Sequence, residues 1–279
     1  MTRVALIGID GGSWNVIDKL VKEGYMKNLE YAIRHGTSAK LRSTIPPVTA
    51  PAWLTLATGL NPGKTGIIDF VKPHNQTIRF VNSEDYRGRA IWDYASVHDL
   101  KVAVLDYPML FPAYPINGIM ISTWGKKVST YPENLIHEIE KLVGDYDIFV
   151  NYNLEKYNDI ELFIQDLETA IRKKLTVAEH VLRIDKWDLF VDVHSWTDWT
   201  LHRMWHIIDP THPTYPGDNE ASRYWKKFAE FLQMLDEYIG KILDTFENVL
   251  IVSDHGFGPQ WGVFNLAKWL EKNKFLKKK

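Results

Sequence analysis

The sequence predicts an α/β protein built on a doubly wound, mostly parallel sheet with helices on both faces. Three observations predict it. Val4–Ile9, Val102–Leu105, Leu189–Val193 and Val249–Val252 are short, nearly continuous apolar runs rich in β-branched residues, the pattern of strands covered on both sides. Stretches with helical spacing of apolar residues lie between them. Acids and imidazoles follow closely after several of the runs, at the carboxyl ends where open parallel sheets gather their ligands.

Taken in order, Val4–Ile9 is the first expected strand, and Asn15–Val21 and Asn28–His35 are short helices after it. Ala50–Ala57 reads as a helix with Pro51 in its first turn, where a missing N–H costs little. GLNPGKTG at 59–66 superficially resembles a phosphate loop. Only three residues separate Gly59 from Gly63, no strand precedes them, and Pro62 lacks an amide donor, so a Gly/Pro turn after a helix is expected instead. Val102–Leu105 is the second strand. Residues 107–158 carry Pro108, Pro112, Pro115 and Pro132 among tyrosines and polar clusters. With the long helix Glu161–Ile184 they are read as an inserted, cap-like region at 107–185. The core is then 1–106 plus 186–279. Leu189–Val193, the helix Tyr224–Phe246 and Val249–Val252 complete that core, and Lys277-Lys278-Lys279 reads as a solvated end.

Composition limits the function classes. The chain has 279 residues, 45% of them hydrophobic, enough for one large core. A formal net charge of -2 argues against a general nucleic-acid binder. With no cysteine, disulfides, thiolate metal sites and cysteine nucleophiles are excluded. No run approaches a membrane span, and the first apolar run is too short for a secretory signal and ends in an acid, so a soluble, cytoplasmic protein with no membrane partner is expected.

The candidate chemistry lies in four segments. In GIDGGSW, Asp10 stands where a dinucleotide fingerprint would have its second glycine, and its charge would repel a pyrophosphate unless a cation lay between them. In TIPPVTAPAW, Thr49 is placed as the cap of the following helix, which is either an ordinary cap or a nucleophile beside the positive helix end. In TDWTLHRMWH, Asp198 and His202 are four apart, so on a helix they share a face, with His206 one turn further. Alone they would be a surface acid–histidine pair. Asp254 and His255 end the last run, and alone they would be a turn closed by an aspartate. His194, Trp53, Trp196, Trp199 and Trp205 lie near these positions and are read mainly as core.

Together, GIDGG, PPVTAPAWLTLATGLNPGKTGI, TDWTLHRMWHIIDPTHP and VSDHGFGP resemble the alkaline phosphatase superfamily, within it the type I phosphodiesterase/nucleotide pyrophosphatase group, over almost the whole chain. The resemblance implies an alkaline phosphatase-like core and two divalent ions, Zn²⁺ or alternatively Mn²⁺. Asp10, Asp254, His255 and the Thr49 oxygen would hold one ion, Asp198, His202 and a further histidine the other. It implies hydrolysis of a small-molecule phosphate ester through a phospho-threonine on Thr49, diester over monoester. The family's further histidine follows the Asp-His motif. No histidine follows His255 here, which leaves His206, His212 or a missing C-terminal segment, and truncation is the favoured expectation. Ile68-Asp69-Phe70 stands where nucleotide pyrophosphatases carry a phosphate-binding asparagine, which disfavours nucleotide diesters. Trp53 in place of an arginine and the absent cysteine disfavour sulfate esters. A phosphomutase or phosphotransferase of the same superfamily, and a cation-binding protein without catalysis, are the alternatives.

Overall fold

The computed structural model describes residues 2–125 and 127–277; two of the three terminal lysines lie outside the described residues. In chain order the elements are β1 (Val4–Ile9), α1 (Trp14–Lys22), α2 (Lys27–His35), α3 (Thr49–Thr58), α4 (Pro62–Thr65), β2 (Val71–His74), β3 (Thr77–Phe80), α5 (Ile91–Val97), β4 (Val102–Leu105), β5 (Gly118–Ser122), β6 (Ser129–Tyr131), α6 (Leu135–Val143), α7 (Ile160–Ile184), β7 (Leu189–His194), α8 (Trp196–Ile208), α9 (Asp218–Thr245), β8 (Asn248–Val252) and α10 (Leu266–Lys272).

Six strands form one sheet in the order β6-β5-β4-β7-β1-β8, parallel except for the β5–β6 pair. The strands alternate between two apolar layers, as a period of two requires. Ala5, Ile7, Ile9, Ala103, Leu105, Ile119 and Ile121 enter one layer, with residues of α1, α2, α6, α7, α8 and α9. Leu6, Val102, Val104, Met120, Val191 and Val193 enter the other, with residues of α3 and α5. Burial on both faces explains why these runs read as continuously apolar.

Two close approaches fix the packing. A Cβ on Gly8 would lie 2.4 Å from the Trp53 ring, so the absent side chain lets α3 settle on β1. The Tyr107 hydroxyl donates to the Trp53 carbonyl at 2.6 Å and locks that contact. On the opposite face, α2 begins without a cap from its own residues. Buried Asp236 of α9 accepts from the amides of Asn28 at 2.9 Å and Leu29 at 2.8 Å instead, and so joins the two helices.

The stretch 107–185, read as an inserted, cap-like region, contributes to the central sheet and its apolar layer. β5 and β6 extend the central sheet, and α7 packs Phe163, Leu167, Ile171 and Ala178 into the same layer as β1. Short strands flanked by prolines hid this pairing. β8 also differs from expectation: it is an edge strand, and Leu250 is 50% exposed. The turn at 59–66 is as expected, a single helical turn begun by Pro62 and closed by left-handed Gly66. No described helix is long and apolar enough to cross a membrane.

Candidate metal centre

Strand order brings the ligands together. β1 lies between β7 and β8, so the segments leaving these three adjacent strands are neighbours about 5 Å apart. The register pairs Gly8 with Val252 and Ile9 with His194. Continued past the sheet, it brings Asp10 level with Asp254 and just ahead of α8. Gly11 makes the sharp turn that follows. Its φ is +66°, its amide donates to Asp254 Oδ1 at 3.2 Å, and a Cβ there would stand 3.1 Å from Asp198 Oδ1. Thr197 holds the neighbouring backbone, donating to the carbonyls of Asp10 and His194.

Four side chains meet at the His255 ring. Its Nε2 lies 3.2 Å from Thr49 Oγ1, 3.3 Å from Asp254 Oδ2, 3.6 Å from Asp10 Oδ1 and 4.0 Å from Asp198 Oδ1. Nδ1 lies 2.9 Å from the Gly256 carbonyl, which can only accept, so Nδ1 carries the proton. In the neutral ring the Nε2 lone pair therefore faces the carboxylates. Ser43 Oγ donates to the Asp254 carbonyl and Ser253 Oγ to that of His255, which steadies the turn.

Thr49 is the first residue of α3 rather than its cap. Val48, with extended backbone at φ −119°, holds the cap position. The correction matters chemically, because the Thr49 hydroxyl is directed at His255 instead of at amides of its own helix. On α8 the expected shared face is present: His202 Nε2 is 3.5 Å from Asp198 Oδ2. The His206 ring faces that of His212 at 6.0 Å, and His212 lies over Trp261 at the same separation. Among the described residues, only Asp10, Asp254 and His255 form a group of three with ligand atoms within 4.8 Å of one another.

The electrostatics of these acids suit a cation. Asp10, Asp198 and Asp254 are buried, and Asp10 Oδ1, Asp198 Oδ1 and Asp254 Oδ2 have no hydrogen-bond partner. Among the described residues no lysine or arginine pairs with them; their ion-pair contacts are all to histidine. Burial, then the charges of Asp254 and Asp198, pushes the Asp10 carboxyl well above its usual range. Burial raises Asp198 to about 7, against the pull of His255, and raises Asp254 as well. Burial lowers His202, with His255 adding to the effect. Three desolvated acids without a cation are unfavourable, and carboxylate plus imidazole donors are the set a Zn²⁺- or Mn²⁺-type ion takes.

Sequence reasoning missed a buried charged network beneath the site. Lys174 of α7 is 2% exposed and bonds to Asp192 and, at 2.7 Å, to Asp106. Tyr146 donates to Asp106 and Tyr238 to Asp192, both at 2.9 Å. His194, the expected core histidine, is fully buried, with Nε2 3.4 Å from Asp192 Oδ2. The Lys174 and His194 charges hold Asp192 at about 2 against its desolvation. A second omission is Tyr152, which stacks on His202 with ring centroids 4.7 Å apart.

A search of curated proteins finds no match. Among solved structures, phosphonoacetate hydrolase from Sinorhizobium meliloti 1021 is similar in complexes with phosphonoformate and with phosphonoacetate. Each aligns at TM-score 0.63 and 15% identity, covering 97% of this chain. The chain spans 62% of the length of those structures. The likeness is one of fold, and it bears out the α/β architecture with a mostly parallel six-stranded sheet. The family model for type I phosphodiesterase / nucleotide pyrophosphatase matches residues 4–278, and with the sheet-end cluster in place the chain belongs to that family.

Proposed function

We propose that this protein is a metal-dependent phosphoric ester hydrolase that works through a phospho-threonine on Thr49. One observation carries the reading: buried, unpartnered oxygens of Asp10, Asp198 and Asp254 converge with the Thr49 hydroxyl on one imidazole. Asp10, Asp254 and His255 would hold one divalent ion next to the Thr49 oxygen, and Asp198 with His202 would hold a second. When bound, such ions lower the pKa of a hydroxyl and neutralise charge at a phosphoryl group.

The chain's own residues supply the rest. Thr49 Oγ1 attacks phosphorus, forming a new P–O bond as the bond to the leaving alcohol breaks. Water then cleaves the phospho-threonine and restores the hydroxyl. The N-terminus of α3 presents its positive end where the phosphoryl group would sit. Burial of the acids excludes bulk water from their side of the reacting group.

Family membership supports an ester of phosphoric acid, and the structural neighbour's own substrate adds a phosphonate to the compounds worth assaying. A second reading, cation binding without turnover, is favoured because Asp198 and His202 fall outside the group of three mutually close ligand atoms found among the described residues. Hydrolysis of bis-p-nitrophenyl phosphate and p-nitrophenyl phosphate with Zn²⁺ or Mn²⁺ separates the two. The hydrolase reading expects turnover that EDTA and Thr49→Ala both abolish and Thr49→Ser partly retains. Metal uptake with no turnover supports the binding reading.

A further inference from the structure

The two histidines of the candidate centre are held in different ways. His255 is oriented by its Nδ1 bond to the Gly256 carbonyl. A ligating histidine ordinarily has such an outer partner, which fixes its tautomer and its direction. His202 lacks one. Its side chain is 43% exposed, and among the described residues its nitrogens make a single polar contact, with Asp198. On a solvent-facing helix surface an imidazole with one contact is free to change rotamer.

Two aromatic rings enclose it instead. Tyr152 lies parallel to the His202 ring, 4.7 Å between centroids and 5° between planes. Phe257 meets the same ring edge-on at 4.8 Å and 84°. Both partners are anchored. Tyr152 and Phe257 both pack against the apolar layer that holds Trp199, and Phe257 also lies 5.4 Å from the Trp205 ring. Parallel and edge-on contacts are the two favourable aromatic arrangements, so the ring is restrained in both tilt and rotation.

We propose that Tyr152 is a positioning residue: with Phe257 it clamps the His202 imidazole, doing the orienting that a hydrogen bond does for His255. The clamp joins the loop before α7 and the Asp-His turn to one ligand, so both segments set the geometry of the second ion. The proposal rests on the two-ion reading above.

The test is a Co²⁺ titration of the full chain by calorimetry, comparing wild type with Tyr152→Ala and Tyr152→Phe. Wild type takes up two ions. Tyr152→Ala weakens only one of them, by about tenfold or more, the usual effect of losing an orienting partner. Tyr152→Phe keeps the ring and matches wild type. The unchanged ion, at Asp10, Asp254 and His255, shows that the variant is folded. In the ion-free protein, the His202 ring protons lie upfield under the Tyr152 ring current and move downfield in Tyr152→Ala but not in Tyr152→Phe. Two ions of wild-type affinity in Tyr152→Ala overturn the clamp alone. A Tyr152→Phe variant as weak as Tyr152→Ala also overturns it, by assigning the effect to the hydroxyl. A wild type that binds a single ion overturns the two-ion reading, and the clamp with it.

Discussion

Replacing Asp198 with asparagine should make the ion-free protein more stable at alkaline pH. The folded carboxyl sits at about 7 because it is buried and faces Asp254, against an ordinary value of 3.8. Between those values the folded chain keeps a proton that the unfolded chain has lost, so stability falls as pH rises through the window. Three units at about 1.4 kcal/mol each amount to roughly 4 kcal/mol, of which roughly 3 kcal/mol falls between about pH 5 and pH 8. The amide that Asp198→Asn introduces would carry no charge and would also relieve Asp10, which Asp198 pushes upward. Relieving Asp10 adds to the same trend, and other shifted acids act elsewhere. Asp85, Asp185 and Asp192 have lowered values, so their stabilisation is lost only in acid below this window. His202 is lowered by burial, which adds stability as pH rises near neutrality, and losing the Asp198 carboxylate 3.5 Å from its Nε2 strengthens that trend in the variant. The assay is urea unfolding in EDTA of wild type and Asp198→Asn at about pH 5 and pH 8. The variant's advantage should grow with pH by roughly 3 kcal/mol, and excess Zn²⁺ should stabilise wild type more than the variant. An advantage that does not change with pH refutes the reasoning.

Lys174→Met leaves Asp106 and Asp192 facing each other in the core and should cost about 3–5 kcal/mol in urea unfolding, with part recovered by adding Asp192→Asn. Gly8→Ala places a methyl against the Trp53 ring and Val193, and should cost about 1–3 kcal/mol by the same measurement, less when Trp53→Leu is added. Tyr107→Phe removes a buried hydrogen bond to the Trp53 carbonyl and should cost about 0.5–1.5 kcal/mol.

β1, β4 and β7 were legible because burial on both faces leaves a nearly continuous apolar run, and the edge strand β8 keeps such a run although it is only partly buried. β1, β4, β7 and β8 fall within a residue of their expected limits. β5 and β6 were not. β6 is three residues long, and prolines at 108, 112, 115 and 132 surround the pair. The β2–β3 hairpin was missed because VKPH and TIRF are four residues each, too short for their alternation to stand out, and none of their residues is buried. Asp10, Asp198, Asp254 and His255 could be singled out since each follows a readable strand, and a parallel sheet sends such positions to one rim. Their meeting at His255 needs the order β7-β1-β8, which the sequence does not state. Lys174 on a helix reads as a solvated lysine until tertiary packing brings two acids to it. Tyr152, in an irregular loop, carries no periodic signal that points to His202.

Anomalous diffraction from crystals grown with Zn²⁺ tests the cation centre most directly. The account predicts a strong peak between Asp10, Asp254 and His255, about 2.0–2.2 Å from their ligand atoms and beside the Thr49 oxygen. Zinc found only at surface histidines, with Asp10 Oδ1 and Asp254 Oδ2 still unpartnered, would contradict it.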